Sequence, residues 1–393
     1  MRLVLPRLGA SLAIIAVATI LGSCASGNAE AEAEAARLAE AAAIAARQPP
    51  PVALNDSVAQ AASVYLTFTR DVTAIQGGFA SAEAVQAALR RGAAYDPDQI
   101  SRGLVAYASI LALQSPEFVS GVRSAAATPA ERQQLVARIV ADPEQASTLP
   151  GADAAAGLII SMMETDIIAL ANAADTVETD AYTIQYAGDP RNGWGRAPAS
   201  DRDGRLQAVK DLSARSVLPS PEETARLYAA AHDGSGLGTT GLRTRRPPYA
   251  PSVANALAMA ALAVLGAAGD NARANTDALQ YDRTSQDCLA SSKLNLFQCL
   301  AASRPAYEDM FCLGRHVMRD LATCARGAAL PSAIVTVDDP TASRATAPVA
   351  PRVTPQALPP APADARPTPA RTPPPAQTST PTPTQRLNSG PNR

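Results

Sequence analysis

Four of the chain's five cysteines and one of its two histidines fall within residues 288–324, CLASSKLNLFQCLAASRPAYEDMFCLGRHVMRDLATC. Cys312 and His316 are four apart, so on a helix they would share one face, a spacing that could ligate zinc. The same four thiols could close two disulfides, or one could act as a nucleophile with a histidine as its base. Residue types alone leave all three chemistries open.

Other candidate chemistry is thinner. Gly236-Leu237-Gly238-Thr239-Thr240-Gly241 fits the dinucleotide fingerprint, but that motif works only between a strand and a helix, where helix N-terminal amides face a pyrophosphate. Here a helical pattern, ETARLYAAAH, precedes it and LRTRRPPYAP follows, so an inter-helix loop is expected. His232, beside Asp233 and Gly234, reads as the C-terminal residue of a helix. With two histidines in 393 residues and no G-x-S-x-G or HExxH, serine-type and zinc hydrolase chemistry has little to build on. The acids that merit attention are Glu164 and Asp166, beside an apolar run in SMMETDIIAL; a carboxylate-only glycan hydrolase needs no more than one or two acids about a cleft. The simpler expectation for both is the polar stripe of an amphipathic helix. No metal and no cofactor is expected.

The elements that must position these residues begin at the N-terminus. Arg2 and Arg7, an apolar run from Leu8 to Leu21, and the small residues Gly22 and Ser23 give the three-part layout of an export signal. The run is shorter than the roughly 20 apolar residues of a membrane span. Leu21-Gly22-Ser23-Cys24 resembles the lipobox of bacterial lipoproteins, which implies cleavage after residue 23, lipid attachment at Cys24 and membrane association through that lipid. Ala25 and Ser26 lack the aspartate of the enterobacterial inner-membrane retention pattern, so the resemblance implies the periplasmic face of the outer membrane.

Residues 24–51 read as an anchor and an Ala/Glu spacer helix, rich in helix formers and poor in large apolar groups, that stops at Pro49-Pro50-Pro51. The other end, 331–393, is a Pro/Thr/Arg-rich stretch whose composition cannot offset its ordering entropy and predicts disorder. Charge divides the same way. The chain is −2 overall; the signal carries two arginines and the stretch from Pro340 six arginines against one aspartate, which leaves about −9 on residues 24–339. An acidic body whose few aromatics are not interleaved with basic residues argues against nucleic-acid binding.

The body reads as a multi-helix bundle. Four times a capping residue is followed by proline and then, at the third position, Glu or Gln: Asp96 with Gln99, Thr128 with Glu131, Asp142 with Gln145, and Ser220 with Glu223. Apolar residues between them recur three and four apart, as in Ile100, Leu104, Val105, Tyr107, Ala108 and Leu111. Ala181–Tyr186 and Ile334–Asp339 are the only stretches that suggest strands. Val253–Ala268 is apolar all round but about 16 residues long, so a buried core helix is expected rather than a membrane span. Gly188–Asp203, which holds the single tryptophan, Trp194, reads as a loop or linker between helical domains 52–187 and 204–330.

The cysteines can now be assigned. An exported chain meets an oxidising compartment, where paired cysteines form disulfides in preference to a metal site. Residues 288–302 and 307–325 read as helices broken at Arg304-Pro305-Ala306. Cys288 and Cys299 would stand about 16 Å apart along one helix, beyond the roughly 7 Å that a disulfide spans. The bridges must therefore cross an antiparallel hairpin, which pairs positions equally far from the turn. The midpoints of 299/312 and 288/324 both fall at Pro305-Ala306, which predicts Cys299–Cys312 and Cys288–Cys324. The arrangement is similar to the twin-cysteine helical hairpins of CHCH-type proteins, with wider spacings here, ten and eleven residues.

Together these readings predict a non-enzymatic, lipid-anchored periplasmic protein whose helical body, stapled at its end, binds or scaffolds an envelope protein or a cell-wall polymer. The alternative is a carboxylate-dependent cell-wall glycan hydrolase.

Overall fold

A computed structural model describes residues 27–234, 236–239 and 244–331. The signal, Cys24, the candidate strand Ile334–Asp339 and the Pro/Thr/Arg-rich stretch from residue 332 lie outside the described residues. Within them the chain is all-α: α1 Gly27–Arg47, α2 Asp56–Thr73, α3 Ala82–Ala93, α4 Pro97–Ala112, α5 Pro116–Ala125, α6 Pro129–Ala141, α7 Ala152–Thr183, α8 Asn192–Arg196, α9 Arg202–Ser213, α10 Pro221–Asp233, α11 Pro251–Val264, α12 Arg273–Asp277, α13 Arg283–Ala302, α14 Ala306–Leu313 and α15 Asp320–Ala329.

Local chemistry starts these helices where the capping residues stand. Asp96 accepts from the amides of Asp98 and Gln99 at the head of α4. Thr128 and Glu131 close a full capping box on α6. Ser220 caps α10 through the Glu223 amide. Asp142 also caps, but it opens a 3₁₀ turn, Pro143–Thr148, rather than an α-helix. That turn runs directly into Pro150 and Gly151, whose φ of 79° is a left-handed conformation suited to glycine.

The core is centred on α4 and α11. From Ser252 to Leu265 every residue but Asn255 is buried, so the apolar 253–268 stretch supplies the interior helix of the bundle, α11, which ends at Val264 before the exposed Gly266. It packs on α4, α5, α7, α15 and the 3₁₀ turn, while α2 lies along the other side of α4. The α2–α4 approach depends on Gly103, where an added Cβ would stand 2.4 Å from the Ala61 carbonyl oxygen. Helices from before and after residues 188–203 share one hydrophobic cluster: α10 packs on α2, α9 on α3, and α14 and α15 on α7.

Ala181–Tyr186 is not a strand. Residues 181–183 close α7 and 184–186 form a turn. Val177, Ala181 and Ile184 are buried at helical spacing while Tyr182 and Tyr186 point outward, so the short alternating pattern was the end of a helical repeat, its members split between the inner and outer faces. Residues 188–203 contain α8, which is docked rather than free. Arg191 pairs with Asp180 at 2.7 Å and Asp189 at 2.9 Å, and the half-buried Trp194 packs against the core.

Both disulfides cross the hairpin. Cys288–Cys324 has a Cα–Cα distance of 5.6 Å and Cys299–Cys312 one of 5.7 Å. The second limb is not one α-helix: a π-helical turn, Gly314–Arg319, joins α14 to α15. It holds His316, whose Nδ1 lies 3.2 Å from Asp320. With Cys312 committed to a sulfur–sulfur bond, the Cys312/His316 pair has no thiolate to offer a metal.

Candidate functional site

The arrangement with chemical potential is built on four helices. Residues 66, 69, 70 and 73 of α2 recur at three and four, as do 162, 166 and 169 of α7, so each set shares one helical face. Those faces, with Tyr107 from α4, Arg226 from α10 and Leu237 from the following loop, line a pocket of about 210 Å³ that opens to solvent beside the two arginines. Ser63 fixes the register of α10 on α2, donating to the Ser220 carbonyl at 3.1 Å and accepting from the Ser220 amide at 3.0 Å.

Charge in this cavity is unevenly met. Arg70 donates to Glu223 at 2.7 Å, and Arg226 grips the other oxygen of the same carboxylate at 3.1 and 2.5 Å. Burial pushes Glu223 up, but the hydrogen bonds from Arg226 and Arg70 outweigh it and hold the acid below the usual carboxylate range. Among the described residues Asp166 has no such partners. Its Oδ2 is buried without a hydrogen bond, and burial pushes its pKa up to about 6 against the weaker pull of Arg70. Burial, then Asp166, pushes the Tyr107 phenol up to about 12. The Tyr65 phenol is raised as well, first by burial and then by Asp166; its ring lies 6.0 Å from that of Tyr107. A half-buried acid with one oxygen left unpaired, lining a pocket, is a recognised signature of a functional position.

The structure separates the two acids of SMMETDIIAL. Asp166 lines the cavity, whereas Glu164 pairs with Arg245 at 3.7 Å and is not among the lining residues. Sequence reasoning missed Arg70, Tyr107 and Arg226. Glu223 was visible only as a partner for its cap; the Ser220 hydroxyl does cap its amide, but its carboxylate turns to the two arginines. A Glu-x-x-Arg pair on a helix was the one signal present, and it marks surface helices too commonly to single out a site.

The remaining candidates are placed as follows. His232 lies in the last turn of α10, its Nδ1 2.8 Å from the Tyr228 carbonyl oxygen and its ring 4.0 Å from that of Tyr228. Gly236 and Gly238 adopt positive φ after α10 rather than after a strand; Gly241 lies outside the described residues. A larger cleft of about 290 Å³ is lined by Gln60, Gln99, Arg102 and Gln280 among others. There Gln99 is already bonded in both directions to Val217, at 2.8 and 3.2 Å.

None of the family models, curated proteins or solved structures compared with the chain matches it. Function must therefore be argued from these residues.

An uncompensated acid should make the site unstable at neutral pH. The Asp166 pKa is raised from 3.8 to about 6, so the stability tied to its protonated form is fully present below the unfolded value and lost as pH rises through 6. Asp166→Asn is expected to raise stability at pH 8 by about 1–3 kcal/mol, discounted for partial exposure, and to change it little at pH 3.5. Urea unfolding of both proteins at the two pH values measures this; an equal effect at both would show that ionisation is not the cause.

Proposed function

We propose that this is a lipid-anchored, non-enzymatic protein of the periplasmic face of the outer membrane, whose helical body binds another envelope component. The observation that carries the reading is Leu21-Gly22-Ser23-Cys24 directly after an export-signal pattern. The two disulfides support it, because such bonds persist in oxidising compartments and are rare in reducing ones. Several acyl chains at Cys24 would hold the body on the membrane, each buried CH₂ contributing about 0.8 kcal/mol. The arginine-rich, proline-rich stretch beyond residue 332 serves in this reading as a basic tether toward anionic envelope polymers or acidic proteins.

Cys24→Ala is expected to abolish lipid labelling and to release the mature protein from membranes, as read by acyl-probe incorporation and fractionation after a salt wash. Retention of the mutant in the membrane fraction would defeat the reading. The segment to test next would then be α7, the one described helix long and apolar enough to cross a membrane, half of whose apolar window is buried in the fold. A crosslinking pull-down from intact cells identifies the partner.

One observation favours a second reading. A carboxyl lifted to about 6 has the character of the general acid of a glycoside hydrolase. Against it, Glu223 is held by two arginines and is poorly placed to serve as the second, reactive carboxylate. The cavity is also smaller than the roughly 300–1,000 Å³ of sites for drug-sized ligands. A zymogram on purified cell wall is expected to show no clearing. Lysis that disappears in Asp166→Asn would make the protein a hydrolase.

A further inference from the structure

The cavity between α2, α4, α7 and α10 holds two kinds of unmet charge. Arg70 and Arg226, whose side chains are 57% and 39% exposed, share a single carboxylate, Glu223, which leaves one positive charge over at the mouth of the pocket and guanidinium N–H groups that water or a ligand can meet. Asp166 contributes a negative charge whose Oδ2 has no hydrogen-bond partner, and among the described residues no ion pair joins it to either arginine. The site is thus close to neutral as a whole, with its opposite charges held apart. Leu66, Met162, Ala169 and Leu237 supply an apolar wall.

This combination discriminates among ligand classes. A simple anion would gain Arg70 and Arg226 but would meet Asp166 as a like charge. A simple cation would gain Asp166 but would face two arginines. A molecule carrying an ammonium and a carboxylate beside an aliphatic group satisfies every wall and leaves no group newly unpaired, the condition under which buried polar contacts favour binding. A cavity of about 210 Å³ also suits a metabolite better than a polymer segment.

We propose that this cavity binds a small zwitterion of the α-amino acid class, its carboxylate taken by Arg70 and Arg226, its ammonium by Asp166, and its side chain by Leu66, Met162 and Leu237. The assignment goes beyond the reading of the body as a module that binds an envelope component and adds a small-molecule site to it. It gives Asp166 a reason to remain unpaired, since a partner supplied by the fold would occupy the place of the ammonium.

Isothermal titration of the mature full-length protein at pH 7.5 tests the assignment with a panel of free L-α-amino acids, together with two analogues of leucine. 4-Methylpentanoate lacks the ammonium and isoamylamine lacks the carboxylate. At least one amino acid of the panel is expected to bind, and both analogues to bind at least about tenfold more weakly than leucine, a difference of about 1.4 kcal/mol. Asp166→Asn is expected to weaken the amino acid at least about tenfold while leaving 4-methylpentanoate no weaker. Arg226→Gln, checked for unchanged helix content by circular dichroism, is expected to weaken the amino acid and leave isoamylamine no weaker. Analogues that match leucine, or no binding by any amino acid at millimolar concentration, would overturn the assignment. Lipid labelling at Cys24 and the pull-down are independent of these probes, so failure here is distinguishable from failure of the anchored-protein reading.

Discussion

Replacing Asp309 by alanine is expected to destabilise the fold by about 3–5 kcal/mol, the cost of leaving a buried partner charge unmet. Asp309 is fully buried and Arg205 nearly so, and the two form a salt bridge. Gln86 donates to the same carboxylate at 2.7 Å and the Ser303 hydroxyl donates to its other oxygen at 2.6 Å. Arg205 also reaches the Ser303 carbonyl oxygen at 3.0 Å. The network therefore ties α3 and α9 to α14 and, through Ser303, to the turn that precedes it. Alanine at 309 would strand the Arg205 guanidinium, whose Nε is already without a partner. Pairing the change with Arg205→Met should recover much of the loss, because an apolar replacement removes the stranded charge as well. Urea unfolding followed by circular dichroism measures both proteins. A loss below about 1 kcal/mol for Asp309→Ala would mean that water reaches Arg205 and the pair is not a buried lock.

The second large effect belongs to the hairpin. In the chain-entropy account, closing the 36-residue separation of Cys288 and Cys324 stabilises by about 4 kcal/mol, and the 13-residue separation of Cys299 and Cys312 by about 3. Cys288→Ala/Cys324→Ala should therefore cost about 1 kcal/mol more than Cys299→Ala/Cys312→Ala, the small gap that a logarithmic dependence on loop length gives. Denaturant midpoints of the two double mutants test the order. A larger loss for the inner pair would show that native packing around α14 and the π turn, rather than constraint of the unfolded chain, sets the contribution. Cys324 and Cys312 are both buried against the core, so alanine there also removes sulfur packing and both measured losses should exceed the entropic values somewhat.

How much could be read in advance depended on how far apart the deciding residues lie. The heads of α4, α6 and α10 were legible because a cap is decided by four consecutive residues, and side chain and amide meet by local geometry alone. Asp142 had the same signature, yet it opens only a six-residue 3₁₀ segment, because Pro150 and Gly151 impose a bend within a few residues. The pairing of the cysteines was legible for a different reason: two adjacent helices and one turn leave a single symmetric way to bring four sulfurs within reach. The apparent strand at 181–186 failed because six residues cannot distinguish a period of two from the end of a 3.6-residue repeat.

The sequence by itself determined the helical class, the capped starts of α4, α6 and α10, the buried character of the apolar run that forms α11 and both disulfides, since each follows from spacing along a continuous stretch. It also singled out Asp166, though only as one of two neighbouring acids with equal claims. Which of them faces a cavity was decided by the tertiary structure. The walls come from residues 66–73, 107, 162–169, 226 and 237, and their meeting depends on the close approach of α2 to α4 at Gly103 and on the Ser63 bonds that seat α10. Desolvation and uncompensated charge, the properties that set Asp166 apart from Glu164, arise from groups distant in the chain and exist only once those helices have packed.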